Sequence, residues 1–171
     1  MMLKELIGRI NFKKINFRRL VLYALYLILT LMLQNMVLPQ VRPLGVCPFI
    51  LPAAVIAVGM FEGASKGAIF ALLMGIYADM AFVETTVAFT ILFPALAFGA
   101  GFVTQFFLNR RFIGYMIAAA AALLITSFMQ VFWVVLNDSW SADMIYTALL
   151  QTAWSLPFAA LLYFPPARWI N

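Results

Sequence analysis

Apolar residues run through this chain in six long stretches, at about 20–38, 46–61, 67–83, 85–108, 112–136 and 142–164, and the breaks between them are only a few residues wide. Such stretches leave few folds open. In lipid a span must satisfy its own backbone hydrogen bonds, which a helix does and an irregular segment does not. Composition agrees: 66% of the 171 residues are apolar and 10% are charged, where soluble domains are roughly half apolar and a quarter charged. Six spans of ~20 residues use ~120 positions, so little remains for a soluble domain. The sequence predicts an all-α integral membrane protein. Its membrane domain is a six-transmembrane-helix bundle over 20–164, preceded by a basic tail over 1–19 and followed by a short cytoplasmic carboxy terminus over 165–171.

The breaks fall at 39–45, 62–66, 84–86, 109–111 and 137–143, and their shortness predicts that consecutive helices are antiparallel neighbours. Six crossings with the amino end inside put Lys66, Arg110, Arg111, Arg168 and the six basic residues of the tail on the inner side, and Arg42 alone on the outer side. Ten against one is a strong positive-inside bias, so both termini are expected to be cytoplasmic and the protein to sit in a cytoplasmic membrane. The second and third stretches are the weakest. Sixteen or so residues reach only ~25 Å of a ~30 Å hydrocarbon core, and Pro48 and Pro52 interrupt the second. Two short spans are expected there, with a re-entrant hairpin as the alternative.

The tail carries Lys4, Arg9, Lys13, Lys14, Arg18 and Arg19 against one acid, Glu5, with Leu3, Leu6, Ile7 and Ile10 at helical spacing. This is the pattern of a basic amphipathic segment on anionic lipid, and its direct junction to a span favours lipid over nucleic acid. A cleaved signal peptide is not expected, because the apolar run that follows is too long and no small-x-small site closes it.

Within the bundle the sharpest pattern is Gly63, Gly67, Ala71, Gly75 and Asp79, one small or short residue every fourth position. On a helix these fall on one face and let a neighbour approach closely, so the stripe is expected to pack helices within the chain, with a partner's helix as the second reading. Asp79 is the one acid inside a predicted span, near its outer end. Structural pairing, with Arg42 as the candidate, or helix capping is expected of it ahead of proton or ion handling, since no chain of further ionisable groups accompanies it. Gln34, Asn35, Gln105, Gln130 and Gln151 are expected to bond between helices, and Trp133, Trp140, Trp154, Tyr163 and Trp169 to anchor at the interfaces.

The chain has no histidine and one cysteine, Cys47, which excludes Ser-His-Asp and Cys-His catalysis and any Cys/His zinc cluster within one chain. Phosphate-loop, zincin and dinucleotide fingerprints are missing as well, so neither enzymatic activity nor a metal or cofactor is expected.

The basic tail, a first span ending near Leu33-Gln34, a Pro/Gly loop and short spans carrying Gly63, Gly67, Gly75 and Asp79 resemble the bacterial rod shape-determining protein MreD family. The resemblance covers nearly the whole chain in length and layout. Two departures are visible: Ala71 stands where that family has a further glycine, and the acid that usually follows the proline of the second span is missing after Pro48 and Pro52. The resemblance implies a fold similar to the substrate-binding S component of energy-coupling-factor transporters. It also implies a noncatalytic membrane subunit of the cell-elongation machinery, acting in sidewall peptidoglycan synthesis beside MreC, MreB filaments, RodA and a class B penicillin-binding protein. The rival reading is a vitamin-transporter S component itself. Such proteins carry Ala-x-x-x-Ala in the first helix, and here Ala24 is followed four residues later by Ile28.

Overall fold

The computed structural model describes residues 17–42, 45–81, 87–106, 112–137, 141 and 143–170, and all regular structure among them is helical. In chain order α1 is Phe17–Met32, continued by a π-helical turn over Leu33–Val37; α2 is Leu51–Glu62, α3 Ala64–Ala81, α4 Ala88–Phe106, α5 Phe112–Asn137 and α6 Asp143–Ile170. Each lies on one of the six apolar stretches, but the ends differ. Helix α2 begins at Leu51 rather than 46, and α6 runs on through Pro157, Pro165 and Pro166 to Ile170, where a tail was expected from 165.

Three helical stretches, Ala64–Ala81, Phe112–Leu136 and Asp143–Arg168, are long and apolar enough to cross a membrane; Val21–Val37, Leu51–Glu62 and Ala88–Thr104 are shorter. The protein is therefore membrane-embedded by the length and composition of its helices. Its outward surface fits that solvent: Ile69, Met80, Ile91 and Ile113 are 65–78% exposed, a display of large apolar side chains that water would penalise and lipid does not.

The bundle is organised around its shortest helix. Residues Leu51–Phe61 of α2 are all buried, as expected of a helix that is apolar on every side. It packs against α3, α4, α5 and α6. The α3–α4 and α5–α6 pairs form the most extensive helix contacts, while the consecutive α4 and α5 touch only slightly. The neighbour rule from short loops fails at that point because α2 occupies the space between the two pairs. Helix α1 also makes little contact with α2. It is peripheral: among the residues of its α-helical part whose burial is described, only Tyr26 and Thr30 are buried.

Proline placement accounts for one of its attachments. A proline at 166 cannot donate to the carbonyl four residues back, Leu162. The Tyr26 hydroxyl supplies that bond instead, donating to the Leu162 carbonyl at 3.0 Å. The Tyr26 ring also lies 6.0 Å from that of Phe70 in α3, so one side chain ties α1 to both pairs. Tyr115 does the same from α5, its hydroxyl donating to Ala159 O of α6 at 2.8 Å with Ala53 O of α2 at 3.3 Å.

Between α2 and α3 there is one residue. Gly63 closes α2 with its amide on Gly59 O at 3.1 Å, and its φ of 90° lies where only glycine is relaxed. Gly63 is therefore a corner and not a member of the α3 face. The close approaches run from Gly59 onward. A Cβ on Gly67 would lie 2.5 Å from Gly59 Cα, one on Gly59 would lie 2.6 Å from Ala97 O, and one on Gly101 would lie 2.5 Å from Ala64 N. Helices α2, α3 and α4 thus cross backbone to backbone, which matters more in lipid than in water because packing replaces the hydrophobic effect as the force between helices.

Candidate functional site

Three side-chain clusters stand out from this apolar frame. The first is at the far end of α3. Gly75 meets the first turn of α4, where an added Cβ would lie 2.5 Å from Phe89 O and 2.8 Å from Thr90 Cα. One turn further on, Asp79 caps that same turn: Oδ1 accepts from Phe89 N at 3.0 Å and Oδ2 from Thr90 N at 2.7 Å. An acid in the last turn of α3 opposes its own helix dipole, and the same charge at the start of α4 is favourable, so its placement is explained by the neighbour. Ala71, one turn before Gly75 and fully buried, completes the contact face. The expected partner Arg42 is turned elsewhere, its Nε donating to Pro39 O at 2.9 Å.

This geometry determines what an amide would do at position 79. Asparagine has one acceptor oxygen, and its NH2 would face an amide donor, so it keeps one of the two bonds and opposes the other. Asp79→Asn is expected to cost about 1 kcal/mol and Asp79→Ala about 1–2 kcal/mol. Unfolding of the purified chain in detergent checks both, and an Asn variant as stable as the parent would contradict the cap.

The second cluster surrounds the chain between the π-helical turn and α2. Residues 46–50 are not helical, and Pro48, Phe49 and Ile50 are buried, so their backbone groups need partners. Side chains from two helices supply them. Gln34 donates from Nε2 to Pro48 O at 3.1 Å and accepts from Ile50 N at Oε1 at 2.9 Å. Ser155 Oγ accepts from Phe49 N at 2.9 Å, and Gln151 Nε2 donates to Cys47 O at 3.4 Å. The wide turn over Leu33–Val37 points Gln34 inward while Asn35 bonds the Tyr77 hydroxyl. A polar seam continues between α5 and α6. Ser127 Oγ lies 3.2 Å from Thr152 Oγ1 and 3.4 Å from Gln151 Oε1, and Gln130 Nε2 is buried without a hydrogen-bond partner. Phe49 anchors the segment on the apolar side, its ring 5.7 Å from Phe89 and 6.4 Å from Phe93.

The third cluster is at the basic end. Glu62 has a side chain only 6% exposed; it accepts from Tyr23 OH at 2.8 Å and from Lys66 Nζ at 2.8 Å, and Arg19 lies 3.9 Å away. Burial pushes its carboxyl up, but the Lys66 and Tyr23 hydrogen bonds and the charges of Lys66 and Arg19 outweigh that and hold it below the ordinary value.

Of the basic residues singled out in the sequence, Arg18 and Arg19 are exposed at the start of α1. Lys4, Arg9, Lys13 and Lys14 lie outside the described residues, as do Trp140 and the side chains of Gln105 and Trp169. Tyr163 sits in a ring cluster with Phe61, Phe112 and Tyr115 at 5.2–5.4 Å. Trp154 lies near the middle of α6 rather than at an end, and it is exposed. Sequence reasoning read Glu62 as a loop charge and did not single out Ser127, Thr152 or Ser155. Pro48 and Pro52 in an already short stretch were the available signal for the non-helical segment.

The fold and these clusters define an all-helical, membrane-embedded bundle whose polar groups are mostly engaged in holding helix ends and one irregular segment. Comparison with family models, with curated proteins and with solved structures returns no match for this chain.

Proposed function

We propose that this protein is a noncatalytic membrane subunit of the bacterial cell-elongation machinery, of the MreD kind, with six helices inserted and both termini cytoplasmic. The observation that carries the reading is the joint use of Gly67, Gly75 and Asp79, the residues on which the resemblance rests, to fasten α3 to α2 and α4. In this reading the stripe is spent inside the bundle, so MreC and RodA or its class B penicillin-binding partner meet the lipid-facing sides. The basic tail lies on anionic lipid near the MreB filaments. The short spans α1, α2 and α4 cross by thinning the bilayer locally. For α2, the five non-helical residues before it lengthen an ~18 Å helix toward a ~30 Å core.

A second reading, the S component of an energy-coupling-factor transporter, draws on the polar seam between α5 and α6, where Gln130 Nε2 lacks a partner. Both readings are tested by purifying the tagged full-length protein from its native membranes in mild detergent. Co-purification of MreC, RodA or a penicillin-binding protein is the expected result. Recovery of paired ATPases with a coupling subunit would replace the first reading by the second.

A further inference from the structure

Glu62 does more than join helices, because it gathers two cations at the level where apolar helices begin. Arg19 is the third residue of α1 and Lys66 the third of α3. Both approach the same carboxylate, and their side chains are 44% and 69% exposed while that of Glu62 is 6% exposed. Lys66 has three donors and gives one of them to Glu62 Oε2. Arg19, at 3.9 Å, is beyond hydrogen-bond length from Oε1, so it contributes charge there and leaves its fork of donors to another acceptor. The acid is turned inward and the bases outward. Arg18, exposed beside Arg19, adds a third cation on the same end.

A phosphate group is close to a carboxylate in size and acceptor geometry, so two cations that converge on one carboxylate also converge on one phosphate. We propose that Arg19 and Lys66 form a binding corner for the phosphate of one anionic phospholipid headgroup, with Glu62 as its built-in competing counter-ion. Headgroup phosphates lie at the depth where these two helices start, and the apolar flanks of α1 and α3, with Val21, Leu25, Ile69 and Leu73 exposed, run beside them as a surface for acyl chains. The proposal rests on the reading that this end of the bundle faces an anionic leaflet. The corner joins Arg19, the last basic residue of the tail, where the chain enters α1, to Lys66 of the bundle.

The counter-ion role makes an unusual demand. Glu62→Gln keeps a partner for each neighbour, its amide oxygen accepting from Lys66 Nζ and its NH2 donating to the Tyr23 hydroxyl, and removes the competing charge, so lipid binding should rise, whereas loss of a purely structural latch would leave it unchanged or lower it. The test is native mass spectrometry of the purified full-length chain titrated with phosphatidylglycerol, with phosphatidylcholine and with inorganic phosphate in separate arms. Expected are retention of one phosphatidylglycerol per chain, no retention of phosphatidylcholine, a loss of about fivefold with Lys66→Gln or Arg19→Gln, recovery with Lys66→Arg, and a gain with Glu62→Gln. Thermal unfolding of each variant separates lost binding from lost fold. The proposal is overturned if Arg168→Gln lowers retention as much as Lys66→Gln, which would mean diffuse charge. It is also overturned if inorganic phosphate binds as well as the lipid, or if Glu62→Gln fails to raise binding. Because binding is read on the purified chain alone, its failure leaves the co-purification result standing, and the reverse also holds.

Discussion

Gly75→Leu is expected to destabilise the bundle by about 3 kcal/mol or more, at the upper end of what overpacking costs, because what it strikes is backbone. The first atom of a new side chain already falls 2.5 Å from Phe89 O and 2.8 Å from Thr90 Cα. A flexible neighbour would yield to it, but the first turn of a helix cannot without carrying α4 away from α3. That displacement also draws Phe89 N and Thr90 N off the Asp79 carboxylate, so the cap is lost together with the packing. Gly75→Ala, one methyl at the same place, should show a smaller loss in the same direction. Unfolding in mixed detergent micelles, read by helicity, measures both. A leucine variant with the parent's midpoint would mean that α3 and α4 do not meet at this residue.

Gln34→Leu should come second, at about 2–4 kcal/mol, since it strands the buried Ile50 N and leaves Pro48 O only the weak Cys47 thiol donor at 3.6 Å. Interhelical hydrogen bonds in membrane proteins average only about 0.6 kcal/mol, because the disrupted groups usually find other partners. Pro48 O and Ile50 N are different: they belong to a stretch without helical bonds, and Gln34 serves both. Gln151→Leu removes two longer bonds, one to Cys47 O and one from Ser127 Oγ, each at 3.4 Å, and should cost no more than about 1 kcal/mol. The contrast is read by comparing the two variants in one unfolding series. Equal, small losses would show that residues 46–50 find hydrogen bonds without Gln34.

The helices themselves were legible because each apolar stretch is bounded by charge, proline or glycine, and the period-four stripe marked where backbones approach. Its limit at Gly63 was not legible: spacing cannot distinguish a glycine on a helix face from one at φ 90°, since both fall in the same register. Asp79 was readable as an acid with a structural partner. The partner, two amides of the next helix, carries no residue-type signature, whereas Arg42 does. Gln34 and Gln151 read as interhelical bonds by type; Gln151 makes one with Ser127 of α5, but the other targets of the two are main-chain groups that any sequence contains. Lys66 and Glu62 stood four apart in plain view. The contributions of Tyr23 and Arg19 come from nearly forty residues away and exist only once α1 is docked.

The single residue between α2 and α3 has a consequence for how this region can change. Loops ordinarily absorb inserted or deleted residues, and the break at 62–66 looks like such a place. Here there is no slack. One residue added after Gly63 has to be taken up by turning α3 about 100° on its own axis. That turn would swing Gly67 off Gly59, Gly75 off Phe89 and Asp79 off the start of α4, and would bring Lys66, Met74 and Ala78 round in their place. Among the described connections, the corner is therefore the one where length as well as residue type is tightly constrained.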